Sequence, residues 1–128
     1  RVQEETAEAE QEEIPEPATP PAATVTTEPI RSGQRIVADQ GDLIVLASVG
    51  SGAEVTAAGN IHVYGALRGR AFAGNAGNRQ ARIFCQQLEA ELVAVAGIYL
   101  VNEKFPDSLR AQPVHIRLQG ERIRLSPL

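Results

Sequence analysis

Two arginine clusters hold most of the chemistry that this sequence could do. Arg31-Ser32-Gly33-Gln34-Arg35 sets two guanidinium groups around a hydroxyl, a carboxamide and a glycine. Arg68-Gly69-Arg70 places two more on the same side of an extended chain. Guanidinium groups make forked contacts to carboxylates, which suits a protein interface. Spacing alone slightly favours the plainer reading, a solvated edge that keeps sheets from pairing. Phe84 follows an inward Ile83 and is expected to point outward, where an aromatic suits a subunit contact.

The patterns of catalysis are missing. There is neither a GxxxxGK(S/T) phosphate loop nor a GxGxxG, HExxH or GxSxG motif, and Gly50-Ser51-Gly52 is too short to cradle phosphate. His62 and His115 lie far apart, with no Cys or carboxylate at metal spacing, and read as outward strand residues. Cys85 alternates with Ile83 and reads as small core filler. As the single cysteine it excludes an internal disulfide framework and a multi-Cys zinc site, and it fits a reducing compartment. Glu89 and Glu91 share one strand face, where solvation is commoner than acid–base work. The expectation is a chain that is not an enzyme and takes no cofactor or metal.

Repetition shows what positions these residues. Gly41-Asp42-Leu43-Ile44-Val45 recurs as Gly59-Asn60-Ile61-His62-Val63, an offset of 18. Gln80-Ala81-Arg82-Ile83-Phe84 reads as the next copy, 22 residues on, with the extra 4 in the loop-like Gly74-Asn75-Ala76-Gly77-Asn78. A second family interleaves: Ala53-Glu54-Val55 matches Ala90-Glu91-Leu92. A repeat of about 18 residues fits three short strands per turn, the geometry of a parallel β-helix. An antiparallel sandwich or barrel with accidental similarity is the competing reading.

The end departs from the repeat. Val114-His115-Ile116-Arg117-Leu118 and Glu121-Arg122-Ile123-Arg124-Leu125 read as an antiparallel strand pair about a Gln119-Gly120 turn. That register sets Ile116 against Ile123, Val114 against Leu125, and Arg117 against Arg122. Like charges directly opposite are unfavourable. The pair could instead cap the open end of the solenoid.

The charge is divided unevenly. Residues 1–29 hold 8 of the 16 acidic residues, 1 of the 12 Lys+Arg and 5 of the 8 Pro, giving +1 − 8 = −7. Residues 30–128 carry +11 − 8 = +3, too little for a dedicated nucleic-acid binder. The acidic, Pro-rich segment 1–29 is expected to be a disordered linker, and 30–128 the folded body. No apolar run reaches the roughly 18 residues of a membrane span. The chain begins at Arg1 and is expected to be a piece of a longer cytosolic protein.

Taken together, Arg31-Ser32-Gly33-Gln34, Gly52-Ala53-Glu54, Gly59-Asn60-Ile61-His62-Val63-Tyr64-Gly65, Arg68-Gly69-Arg70-Ala71 and Ala81-Arg82-Ile83-Phe84-Cys85 resemble one family. It is the C-terminal domain of the bacterial septum-site-determining protein MinC. Ala90-Glu91-Leu92-Val93 and Ala96-Gly97 extend the resemblance, which then fades to strand character alone. Ala58 stands where the family often has an acidic residue.

The resemblance implies an all-β fold: a right-handed, triangular parallel β-helix with a C-terminal strand pair. It implies a homodimer through an apolar face and binding to the membrane ATPase MinD in its ATP form. The family's MinD-binding positions fall on Arg31, Ser32, Gly33, Gln34, Gly52, Glu54 and Arg70. Inhibition of the tubulin-like protein FtsZ is assigned mainly to a separate N-terminal domain, with the FtsZ tail as a further contact of this one. A cytoplasmic protein recruited by MinD to the inner face of the membrane follows. The main alternative is a self-associating β-helix scaffold of the bactofilin kind. A hexapeptide acyltransferase would need regular repeats and a supported His, and a polysaccharide-cleaving β-helix clustered carboxylates.

Overall fold

Short runs of β-branched and small apolar residues become strands because their side chains fit a pleated, half-buried surface. Gly, Asp and Asn break those runs at the corners. The computed structural model describes residues 22–128. Its first strands are β1 (Thr24–Thr26), β2 (Arg35–Ala38), β3 (Leu43–Val45) and β4 (Glu54–Ala57). Then come β5 (Ile61–Leu67), β6 (Arg70–Ala73), β7 (Ile83–Leu88) and β8 (Leu92–Val95). β9 (Ile98–Val101), β10 (Val114–Gln119) and β11 (Arg122–Pro127) complete the described chain.

Odd and even strands of the first eight segregate. One sheet has the order β1-β3-β5-β7-β10-β11, the other β2-β4-β6-β8-β9. Neighbours among β1 to β8 pair in parallel, coil upon coil. A third side is drawn by Ile30, Val49 and Leu67, which bridge in parallel, and by Leu88 beside Leu67. Three sides per coil make the expected triangular β-helix, wound right-handed as parallel crossovers are. Leu43 pairs with Ile61 and Ile61 with Ile83, reproducing the offsets of 18 and 22.

The interior is built from columns of like residues. Leu43, Ile61, Ile83 and Ile116 stack in register and are all fully buried. Val45, Val63, Cys85 and Val114 form the next column, and Ile30, Val49, Leu67 and Leu88 line the third side. Small residues, Ala71 and Ala73 between Val55, Ala57, Val93 and Val95, let the second sheet approach closely. Burial pushes the Cys85 thiol up to about 12, against weaker opposing hydrogen bonds at Val114 and Gln87. That cysteine is core filler.

Three expectations are corrected by the register. β1 lies inside the segment expected as linker: Thr24-Val25-Thr26 is a β-branched run and pairs with β3, so the fold starts before residue 30. Residues 1–21 of that segment lie outside the described residues. In the second family, Leu92 stacks through Arg70 on Glu54, one residue away from the match of Leu92 with Val55. The fourth coil rounds its corner with a different number of residues from the second, which a local motif cannot register.

The terminal hairpin is the third correction. Ile116 faces Leu125 and Arg117 faces Arg124, with Gln119 paired to Arg122. The turn is therefore Gly120-Glu121, one residue later than Gln119-Gly120. Gly120 has φ 65 and is the only residue of this two-residue loop with positive φ, the pattern of a hairpin turn with glycine first. A register shift of two leaves every side chain on its expected face. Two arginines still oppose one another, now Arg117 and Arg124 in place of Arg117 and Arg122, and Arg117 is relieved by donating to Ser126 Oγ at 2.8 Å.

The solenoid's last coil is covered by reversal of direction. β9 folds back antiparallel on β8, and β10 runs antiparallel to β7 with β11 outside it. Between them Phe105 is buried beneath two 3-10 turns, Asn102–Lys104 and Asp107–Leu109. Arg110 ties this cover together, donating to Asn102 Oδ1 at 3.0 Å, Asn102 O at 2.7 Å and Phe105 O at 3.2 Å.

Candidate functional site

The corner leading from the third side into the second sheet gathers the polar residues singled out above. Its length varies with the coil. From bridge residue to strand it takes five residues in the first two coils (30 to 35, 49 to 54), three in the third (67 to 70) and four in the fourth (88 to 92). The first two coils therefore protrude as turns, and the third is cut back.

In the first turn Gln34 N–H donates to Arg31 O at 2.9 Å, and Arg31 N–H donates to Gln34 Oε1 at 2.6 Å. Gln34, an exposed residue, thus spends its side-chain carbonyl on holding the turn. In the second turn Ala53 N–H donates to Gly50 O at 3.0 Å. The two turns stack through Gly33 N–H on Gly52 O at 2.9 Å. Gly52 has φ +80, and a Cβ there would lie 2.5 Å from Ser32 Oγ. The left-handed φ favours glycine, and any Cβ there would displace the Ser32 hydroxyl from this position.

Below the turns runs a ladder of charges. Arg35, Glu54 and Arg70 are direct cross-strand neighbours on β2, β4 and β6. Glu54 Oε2 lies 3.3 Å from Arg35 Nε, and Glu54 Oε1 lies 3.3 Å from Arg70 Nη2. One carboxylate therefore holds two guanidinium groups in a fixed spacing. Among the described residues Arg70 Nε is buried without a hydrogen-bond partner, although 43% of the side chain is exposed. A buried donor without an acceptor costs about 1–3 kcal/mol, which an incoming acceptor would recover.

The fourth coil closes the site with Glu89 and Glu91. Glu91 Oε2 reaches across the cut-back third coil to accept from Gly52 N–H at 3.0 Å. Glu89 Oε1 accepts from Arg68 Nε at 3.0 Å, and its Oε2 accepts from Gln87 Nε2. The Arg68 hydrogen bond, then that of Gln87, holds the Glu89 carboxyl below the usual carboxylate range. Both glutamates are thus part of the corner, where the sequence alone favours solvation. The 39-residue separation of Gly52 and Glu91 left no local signal.

A pH consequence follows with a definite sign. A folded pKa below the unfolded one gives stability that is present above the ordinary carboxylate range and lost as pH falls through the depressed value. Glu89→Gln is therefore expected to lower the thermal midpoint at neutral pH, slightly because the pair is partly solvated. Parent and variant should converge in acid. Parallel curves at all pH values would show that Glu89 contributes nothing through its charge.

Arg31, Ser32, Gly33, Gln34, Gly52, Glu54 and Arg70 all meet at this corner. Arg35, Arg68, Glu89 and Glu91 join them, and of these four the sequence reading placed only the two arginines in a binding cluster. Phe84 is elsewhere, on the outer face of the first sheet. There His62, Phe84 and His115 stack with ring centroids 4.8 and 4.9 Å apart, and Tyr64 continues the row at 6.5 Å. Val25, Leu46 and Leu128 are exposed large apolar residues, as is Tyr64 at 56%. His115 Nε2 faces Arg82 Nη1 at 3.0 Å. Burial first, then the charges of Arg117 and Arg82, keeps the His115 pKa below its ordinary value. The described residues contain no group of three or more potential metal ligands. No helix in them is long and apolar enough to cross a membrane.

Known proteins share this sequence and geometry. The family model described as septum formation inhibitor MinC, C-terminal domain, matches residues 24–128. The chain is 54% identical over 104 residues to "Probable septum site-determining protein MinC" of Agrobacterium fabrum, covering 81% of this chain and 43% of that protein. It is 53% identical over 123 residues to the protein of the same name in Marinobacter nauticus, covering 95% and 49%. The chain thus spans somewhat under half the length of these relatives. Among solved structures, a chain of the MinC:MinD cell division protein complex of Aquifex aeolicus superposes with a TM-score of 0.75 at 34% identity, covering 84% of this chain and 87% of that one. Family model, relatives and fold agree, and the chain belongs to the family of the MinC C-terminal domain.

Proposed function

We propose that this chain is the MinD-binding and dimerising module of a septum-site determinant. It binds MinD in its ATP form and so brings an inhibitor of FtsZ assembly to the inner face of the cell membrane. It is cytoplasmic until MinD recruits it, and it performs no catalysis of its own. The observation that carries this reading is the likeness to a chain from a MinC:MinD complex, at 34% identity and covering 84% of this chain. The polar corner supports it: Arg31, Ser32, Gly33, Gln34, Gly52, Glu54 and Arg70 form one surface that presents hydroxyl, amide and guanidinium donors. Such a surface reads carboxylates and backbone carbonyls on a protein. The nucleotide dependence belongs to MinD.

The test is titration of purified MinD over the immobilised chain with ATP and with ADP. Binding with ATP alone is expected. Binding in neither state would overturn the proposal and leave a self-associating scaffold of the bactofilin kind.

The outer face of the first sheet is the proposed homodimer seam, since a row of stacked aromatics beside Val25, Leu46 and Leu128 is a contiguous apolar surface. Phe84→Asp is expected to weaken the dimer at least tenfold, because it sets a carboxylate between two rings (about 1.4 kcal/mol is already tenfold). Sedimentation equilibrium measures this. A dimer constant equal to that of the parent would remove Phe84 from the seam.

A further inference from the structure

The C-terminal end of the solenoid finishes in two edge strands. β11 is the last strand of one sheet and β9 the last of the other, so each presents an unpaired edge. Between them runs a groove of ≈ 590 Å³, walled by the half-buried apolar side chains of Leu100, Ile123 and Leu125. Its rim carries Lys104, Arg122 and Arg124. Glu121 is also at the rim, but it is engaged by Arg79 at 2.9 Å. Among the described residues no carboxylate lies in ion-pair distance of Lys104, Arg122 or Arg124.

The complement of this groove is in the same chain. Residues 4–14 contain Glu4, Glu5, Glu8, Glu10, Glu12 and Glu13, no Lys or Arg, and end in Ile14. Ile14 precedes Pro15, which favours the extended backbone that a strand edge accepts. The segment can reach. β1 and β11 are the outermost strands of a six-stranded sheet, five steps of about 4.8 Å or roughly 24 Å apart. Thr24 lies ten residue steps after Ile14, and ten extended steps span about 33 Å.

We propose that the acidic segment 4–14 of this chain docks in the groove between β9 and β11. Its carboxylates pair with Lys104, Arg122 and Arg124, and Ile14 covers Ile123 and Leu125. Tethering supplies an effective concentration of millimolar order, so weak contacts suffice. Docking shields the solenoid's open end, where two bare strand edges would otherwise invite end-to-end growth. It also makes the acidic segment a competitor for any acidic peptide that seeks the same cations.

The test compares the full chain with a variant carrying Glu8→Gln, Glu10→Gln, Glu12→Gln and Glu13→Gln. Amide exchange and chemical shifts are read at Tyr99, Leu100, Ile123 and Arg124. With a segment Kd near 0.1 mM against millimolar tethering, exchange at these amides should be about tenfold slower in the parent. About 0.5 M salt should bring the parent to the variant's values, since it screens the pairs. Amides of residues 31–34 should not move. Arg122→Glu with Arg124→Glu should abolish the difference, and Glu12→Lys with Glu13→Lys added to that variant should restore it. Identical parent and variant at low salt would overturn the proposal. Protection that grows with protein concentration would also overturn it, by making the occupant a second copy.

Discussion

Replacing Arg70 by alanine should weaken binding to ATP-loaded MinD by at least about 30-fold while leaving the fold intact. Central interface arginines are worth about 2 kcal/mol or more on truncation, which is that factor. Arg70 has the marks of such a residue. It emerges from β6 at the cut-back third coil, between the protruding turns and the Glu89–Glu91 rung. Glu54 holds its Nη2 at 3.3 Å, and its Nε is buried without a partner among the described residues. The group is both pre-positioned and unsatisfied. Removing it leaves Glu54 with Arg35, so the ladder loses one rung and the core beneath loses nothing.

Arg70→Lys separates charge from geometry. A lysine keeps the charge but cannot fork, and it is expected to recover only a small part of the affinity. Thermal midpoints should stay within a few degrees of the parent for both variants, because a partly exposed pair contributes little to stability. The measurement is a titration of ATP-loaded MinD against parent and variants. An unchanged Kd for Arg70→Ala would take Arg70 out of the interface.

The largest effect on stability is expected at Ile83→Ala. Ile83 is fully buried and sits in register between Ile61 and Ile116, joining the parallel coils to the antiparallel cover. Truncating a buried Ile to Ala costs about 2–5 kcal/mol when the surroundings cannot collapse. Here they cannot: each coil is held by ladders on both sides, so neighbouring strands cannot move in without breaking hydrogen bonds. Cys85, two residues on and pushed up to about 12 by burial, reports the change. Its thiol should react with an alkylating reagent only when the last coil opens. A loss of 2 kcal/mol makes that opening about 30-fold more frequent. A labelling rate within a factor of two of the parent would show that the column tolerates a cavity there.

The same residues show why so much of the fold is legible in the sequence. Gly41-Asp42-Leu43-Ile44-Val45 and Gly59-Asn60-Ile61-His62-Val63 repeat because they do the same work one coil apart. Asp42 Oδ1 accepts from Asn60 N–H at 2.7 Å, and Asn60 Oδ1 accepts from Arg82 N–H at 2.7 Å. A corner side chain that serves the coil above must recur at the coil's period. Strict alternation then puts Ile83 and Cys85 inside and His62 and Phe84 outside. Strand, coil and face are local or periodic properties, and a single sequence carries them.

The register of the terminal hairpin was set instead by where the chain could turn. Gly120 takes the first loop position, and the hairpin lies on β7, fixing Ile116 against Ile83. The candidate site depended on more still. Arg31 to Gln34, Gly52, Glu54 and Arg70 could be named from motifs, but their assembly rests on corners of five, five, three and four residues in successive coils. Those unequal lengths bring Arg35 and Arg70 to one carboxylate and clear the path by which Glu91 reaches Gly52. Local composition encodes which side chains are present and which way each one points. Contacts between distant coils depend on the summed length of every segment between them, and only the closed solenoid performs that sum.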